Sequence, residues 1–145
     1  MIKVSIVLKE QVPEVWDKAL PYLQSAVGTS GGRMSAAVTF QRIMEQQVYL
    51  WLAYDDENLE ILGAATTHVT QYDTVRYLTC ELLGGERFQE WRDLMQEALV
   101  KLARAEGCIG VELIGRDGWV RELRDLGWTR AFSTVQFLLG DGDAA

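Results

Sequence analysis

Glu81 and the run Gly84-Gly85-Glu86-Arg87 stand where a β-prone apolar segment gives way to an amphipathic helix. A strand that ends in two glycines and turns into a helix leaves unpaired backbone amides at the helix start, and such amides attract phosphate. The same glycines also serve a tight connection with no ligand, so a phosphate corner and a plain turn are both open readings. Leu83, Gly84, Gly85, Glu86 and Arg87 are the candidate contacts to a pyrophosphate.

By period-two alternation Glu81 shares a strand face with Tyr77 and Thr79, while Leu78, Cys80 and Leu82 share the other. A carboxylate held against an aromatic wall is harder to ionise and can act as a base near neutral pH; a solvated or ion-paired strand-end glutamate does no chemistry. His68, the single histidine, lies on the preceding strand, where it can relay a proton or simply satisfy a polar sheet face. Cys80 stands between Leu78 and Leu82, which favours packing over nucleophilic reactivity. Glu81 and His68 are therefore the catalytic candidates.

The chain carries 14 Lys and Arg against 21 Asp and Glu, a net charge of −7. That sign repels nucleic acid and anionic membranes, and neither is expected as a partner. The positive charge is unevenly placed: eight of the ten arginines lie from Arg76 onward, so an anionic ligand belongs on the second half. Arg116, Arg121, Arg124 and Arg130 cluster near the last helix, with Arg87 and Arg92 on the longer one before it. Guanidinium groups suit phosphates, and equally the interleaved Glu122 and Asp125. Two cysteines with no CxxC spacing and one histidine do not make a zinc site, and no metal is expected. The glycine-rich residues 28–32 lack the Lys-Ser/Thr pair of a nucleotide-triphosphate loop and read as a helix connection. The N-terminal apolar run is too short for a signal peptide and no segment has transmembrane length, so a cytoplasmic protein with reduced thiols is expected.

These residues need a frame to hold them. At 145 residues the chain has the size of one domain, expected over residues 1–140 with a flexible tail at 141–145. Residues 2–8 are β-branched and apolar, and Pro13 is well placed in the first turn of a helix that Pro21 should break or kink. Ser35 caps a second helix, and residues 48–54 are apolar on both faces like a central strand. Asp55-Asp56-Glu57-Asn58 makes a hairpin turn into residues 59–72, followed by a third strand at 75–83. Phe88, Trp91, Met95, Leu99 and Leu102 recur at helical spacing up to Gly107. A strand through Ile109, Val111 and Leu113, a short helix ending at Gly127, and a final strand at 131–139 complete the order β-α-α-β-β-β-α-β-α-β. Hairpins give antiparallel pairs and the long helix a parallel one, so the class is α/β (α+β) with a mixed central sheet.

With this layout, with Gly84-Gly85-Glu86-Arg87 at the corner and the segment from Arg116 to Gly127-Trp128 after it, the chain resembles the Gcn5-related N-acetyltransferases (GNAT) over most of its length. The resemblance implies a single GNAT-like domain and an acetyl-CoA-dependent N-acetyltransferase, with acetyl-CoA as cofactor and a small-molecule or protein amine as acceptor. Gly84 to Arg87 then occupy the place of the family's Gln/Arg-x-x-Gly-x-Gly/Ala pyrophosphate loop. Glu81 stands where some members keep the base that deprotonates the amine. Gly127-Trp128 matches a Gly-Phe pair, whereas Leu123 falls where the family has a tyrosine that protonates the departing thiolate. The segment Ile114-Gly115-Arg116-Asp117-Gly118-Trp119 is most similar to short acetyltransferase-like proteins of tailed bacteriophages, and its Arg116 and Trp119 complete the candidate cofactor contacts. Two roles remain: an active acyl-CoA N-acyltransferase, or a catalytically inactive phage protein serving as a virion component or a host-directed protein-binding module. The second role implies a phage or host protein as partner, and a place in the host cytoplasm or the virion.

Overall fold

The computed structural model describes residues 1–140, and the expected tail at 141–145 lies outside them. The elements are β1 (Ile2–Ile6), α1 (Val12–Val27), α2 (Ala36–Met44), β2 (Tyr49–Asp55), β3 (Glu60–Gln71), β4 (Arg76–Gly85), α3 (Arg92–Ala105), β5 (Gly110–Leu113) and α4 (Gly118–Leu123). They form one sheet in the order β1-β2-β3-β4-β5. The first three pairings are antiparallel, β2–β3 and β3–β4 through short turns and β1–β2 across the segment that holds α1 and α2, and β4–β5 is parallel, because α3 carries the chain back along the sheet. The mixed sheet agrees with the expectation.

Helices cover both faces. Leu23 of α1 and Ile43 of α2 pack on Leu50, Leu52, Ala64 and Leu82. On the other side Met95, Leu99 and Ala103 of α3 pack on Trp51, Leu62, Leu78 and Leu83. Residues 50–53 are consequently buried on both faces, which explains their unbroken apolar run. Local chemistry sets the ends of the elements. Ser35 Oγ accepts from the Val38 amide at 3.2 Å, and the Asp55 and Asn58 side chains accept from the Glu57 and Glu60 amides, each at 3.0 Å, in the β2–β3 turn.

Two expectations are corrected. α1 does not break at Pro21 but runs through it. The ring is exposed, while Ala19 and Leu23 on either side are buried against the sheet, and that packing holds the helix through the missing hydrogen bond. Residues 131–139 do not form the final strand: residues 129–140 carry no regular structure and are exposed throughout. A strand exists only through its neighbour's hydrogen bonds, and among the described residues the segment pairs with no strand.

Candidate functional site

β3 and β4 pair with one residue too many on β4. Thr66 faces Leu82 and Thr67 faces Cys80, which leaves Glu81 between them as a β-bulge. The extra residue shifts the alternation, so Leu82 packs with the α1/α2 cluster and Leu83 with the α3 cluster. The expected grouping of Leu82 with Leu78 and Cys80 is thereby corrected. Glu81 itself is held toward α2, with Oε1 3.3 Å from His68 Nδ1 and Oε2 3.5 Å from Arg42 Nη1. The Glu81 and His68 side chains are each 20% exposed. His68 Nδ1 is buried and makes no hydrogen bond, so the 3.3 Å approach is a close contact without hydrogen-bond geometry.

The two catalytic candidates thus meet, and Arg42 joins them without having been singled out from the sequence. Its place on α2, one residue before the buried Ile43, aims it at the sheet margin; nothing local says that it reaches β4. A second polar network continues along the sheet: Glu112 Oε2 accepts from Thr79 Oγ1 at 2.7 Å and from Tyr72 Oη at 2.6 Å, and Thr70 Oγ1 lies 2.7 Å from Thr79 Oγ1. The hydrogen bond to Glu112 raises the Tyr72 phenol above its ordinary value. Cys80 is 1% exposed, and burial pushes its thiol up to about 12, which makes it a packing residue.

The cofactor candidates fall into two groups. Gly84 and Gly85 are residues of β4, paired with Ala64 and Gly63, and the turn comes after them at Arg87, whose φ is +57°. Their need for glycine is close approach: a Cβ on Gly84 would meet the Tyr22 carbonyl oxygen of α1, and one on Gly85 would stand 2.6 Å from the Leu62 oxygen and 2.7 Å from Trp91. Leu83 is core. The Glu86 carboxylate accepts from Tyr22 Oη at 3.3 Å, and its carbonyl accepts from Trp91 Nε1 at 2.9 Å. The Arg87 guanidinium grips Glu90 through two hydrogen bonds of 2.6 and 2.9 Å. A 3₁₀ turn, Phe88–Glu90, leads into α3, and its first amides have no intrahelical acceptor.

Arg116 and Trp119 form the second group. The guanidinium carbon of Arg116 sits 4.7 Å over the Trp119 ring. Trp119 in turn meets Phe88 at 5.2 Å between centroids, and Phe88 meets Trp91 at 4.9 Å. This aromatic line links the turn before α3 to the start of α4 and so connects the two groups. Of the arginines in the basic cluster, Arg92 chelates Asp125, Arg116 pairs with Glu122 at 3.7 Å, and Arg130 pairs with Asp117 at 3.2 Å. Arg121 and Arg124, on an open basin with Gln89, carry no ion pair among the described residues.

The sheet opens between the two groups. β4 and β5 pair only from Tyr77–Gly110 to Cys80–Leu113, with a last bond from the Ile114 amide to the Cys80 carbonyl. Beyond it β4 runs on from Glu81 to Gly85 with no strand partner on that side among the described residues. A small apolar cavity of about 20 Å³, lined by Cys80, Leu83, Phe88, Met95, Leu113 and Leu123 among others, lies behind the opening and has room for about one water. A sheet splayed beside a bulge, with a helix start at its mouth, is a distinctive arrangement. The arrangement is similar to the fold of solved acetyltransferases.

No protein-family model matches the chain, and no curated protein matches it. Solved structures supply the likeness. An aminoglycoside acetyltransferase from an uncultured soil metagenomic sample, in complex with sisomicin, superposes with a TM-score of 0.67 at 14% identity, covering 96% of this chain and 95% of its own. A predicted acetyltransferase from Clostridium acetobutylicum, solved with acetyl-CoA, gives 0.66 at 10% identity, covering 95% and 96%. A Trypanosoma brucei acetyltransferase gives 0.61 at 12%, covering 96% and 100%. At such identities the GNAT likeness is one of fold. Among the described residues no helix is long and apolar enough to cross a membrane.

Proposed function

We propose that the protein is an acetyl-CoA-dependent N-acetyltransferase that uses Glu81 as its base. The observation that carries this reading is the divergence of β4 from β5 at Cys80–Leu113, with Glu81 bulged out beside it against His68 and Arg42. Acetyl-CoA, when bound, supplies the thioester acetyl group and a thiolate leaving group. The free edge of β4 from Glu81 to Leu83 offers peptide groups to an extended amide chain, and the first amides after Arg87 suit a pyrophosphate. Tyr22 holds the Glu86 carboxylate by a hydrogen bond, and Arg116 over Trp119, with Arg121 and Arg124, supplies positive charge for further phosphate.

Arg42 fixes one carboxylate oxygen of Glu81, and the other is left to take a proton from an attacking ammonium, directly or through a water. His68 Nδ1, 3.3 Å away and otherwise unpartnered, is placed to receive that proton onward. With Leu123 buried on α4, no tyrosine from that position protonates the thiolate. The acceptor is an amine, in keeping with the aminoglycoside acetyltransferase among the structural neighbours.

A second reading, a GNAT-fold protein that binds another protein without turnover, is favoured by Leu123 in the tyrosine's place and by Gly84 and Gly85, which belong to β4 and not to a phosphate loop. Kinship with phage proteins rests on residues 114–119. The experiment that separates the readings is calorimetric titration with acetyl-CoA followed by a screen of amines for thiol release. Saturable micromolar binding with release of free CoA supports the enzyme. Absence of heat at millimolar acetyl-CoA sinks it and leaves the binding role.

A further inference from the structure

β4 and β5 separate after Cys80 and Leu113, and both residues line the small apolar cavity behind the opening, together with Leu83 from the free edge of β4. Polar groups border it too, but each is already engaged. The Arg92 guanidinium is turned to Asp125 and the Glu122 carbonyl, and Gln96 accepts from Trp128 Nε1 at 2.6 Å and donates to the Leu126 carbonyl at 3.5 Å. The Cys80 thiol donates to the Leu82 carbonyl at 3.5 Å. A water in the cavity would find none of the polar partners that hold one in place, whereas hydrocarbon would gain contact with the walls. Those walls are braced. Phe88 stands 4.9 Å from Trp91 and 5.2 Å from Trp119 between centroids, and Cys80, Met95 and Leu123 are each no more than 6% exposed.

We infer that this cavity seats the end of the donor's acyl group and admits one carbon more than acetyl, so that the chain binds propionyl-CoA in preference to acetyl-CoA. The inference rests on the binding of an acyl-CoA along the β4 edge proposed above. A donor lying along Glu81 to Leu83 has its acyl carbon where β4 leaves β5, and from there the alkyl end meets Cys80, Leu83 and Leu113. The cavity holds about 20 Å³, room for about one water, and a methylene group is close to a water in size. Burying one methylene strengthens binding about fourfold. A second has no space between the braced walls, and forcing it in displaces core side chains. The preference therefore peaks at propionyl.

Calorimetric titration of the full chain with acetyl-, propionyl- and butyryl-CoA tests this without need of an acceptor. The expected result is propionyl-CoA bound about fourfold more tightly than acetyl-CoA, with butyryl-CoA weaker than propionyl-CoA. Leu123→Phe fills the cavity from α4 and should abolish the propionyl advantage. Leu123→Val opens it by about one methylene and should move the peak to butyryl-CoA, which keeps the test in force should the larger ring prevent folding. Acetyl-CoA binding with propionyl-CoA equal or weaker overturns the inference and leaves acetyl-CoA as the donor. Absence of binding by all three overturns both. Affinity that keeps rising to butyryl-CoA in the wild type, or a propionyl advantage untouched by the Leu123 substitutions, overturns the inference equally.

Discussion

Glu81 Oε1 and His68 Nδ1 stand 3.3 Å apart across two neighbouring strands because β4 carries one residue more than β3 at that point. Without the bulge the pairing would follow strict alternation, and the β4 residues beyond it would exchange faces. A carboxylate whose position depends on a backbone irregularity is held by the ladder on both sides of it, and the proposed role of Glu81 as base rests on that placement. Glu81→Gln should therefore lower kcat for amine acetylation by about 10²-fold or more while leaving acetyl-CoA affinity unchanged. Steady-state rates set beside a binding titration check this, and full activity in the variant would remove Glu81 from the mechanism.

Gly84 lies under the backbone of α1, with the Tyr22 carbonyl in the place of any Cβ. Gly84→Ala has no flexible side chain to push aside, so it should cost about 1–3 kcal/mol or more through displacement of α1 from β4. Urea unfolding would register the loss as a lower midpoint. An unchanged midpoint would mean that α1 shifts freely, against the close packing described.

The acid limb of stability should be set by paired carboxylates. Arg92 holds Asp125 below its ordinary 3.8, Arg87 holds Glu90 below 4.5, and the Glu57 amide leads the causes that hold Asp55 below 3.8. A carboxyl whose folded value is depressed adds stability that is complete above its ordinary value and is lost as pH falls through the folded one. Urea midpoints should thus be flat above pH 4.5 on account of these groups and should fall below it. Asp125→Asn should weaken the acid dependence, and an equally steep limb in that variant would place the titrating groups elsewhere.

Thiol chemistry should divide the two cysteines. Burial raises both thiols, but Cys80 is pushed up to about 12 and is 1% exposed, whereas Cys108 is only partly buried. An aromatic disulfide reagent at neutral pH should label Cys108 slowly and Cys80 only after denaturation, as read by peptide mass mapping. Rapid native labelling of Cys80 would reopen a nucleophilic role.

The element order from Ile2 to Leu126 was legible because its signals are local. Ser35 caps its own helix, Asp55 and Asn58 fold back on their own amides, and Gly127 adopts a φ of +94° that it can take alone. The closeness of Glu81 and His68 was legible as two polar residues on neighbouring strands among apolar ones. Arg42 was not, since its partner lies on another element. Nor was the purpose of Gly84 and Gly85, whose spacing suggests a turn while their neighbours demand flat, close-packed strand.

The C-terminal segment draws the same boundary. Residues 131–139 have the composition of a strand, and composition is a property of the chain itself. Whether they become one depends on a partner edge, and among the described residues they pair with none. By itself the sequence determined most of the elements and the mixed sheet, and it singled out Glu81 and His68 as candidates, because side-chain period and turn chemistry act within a few residues. Only the tertiary structure decided the bulge that brings Glu81 to His68 and Arg42, the splay of β4 from β5, and the unpaired end, because register and pairing are contests between segments far apart in the chain.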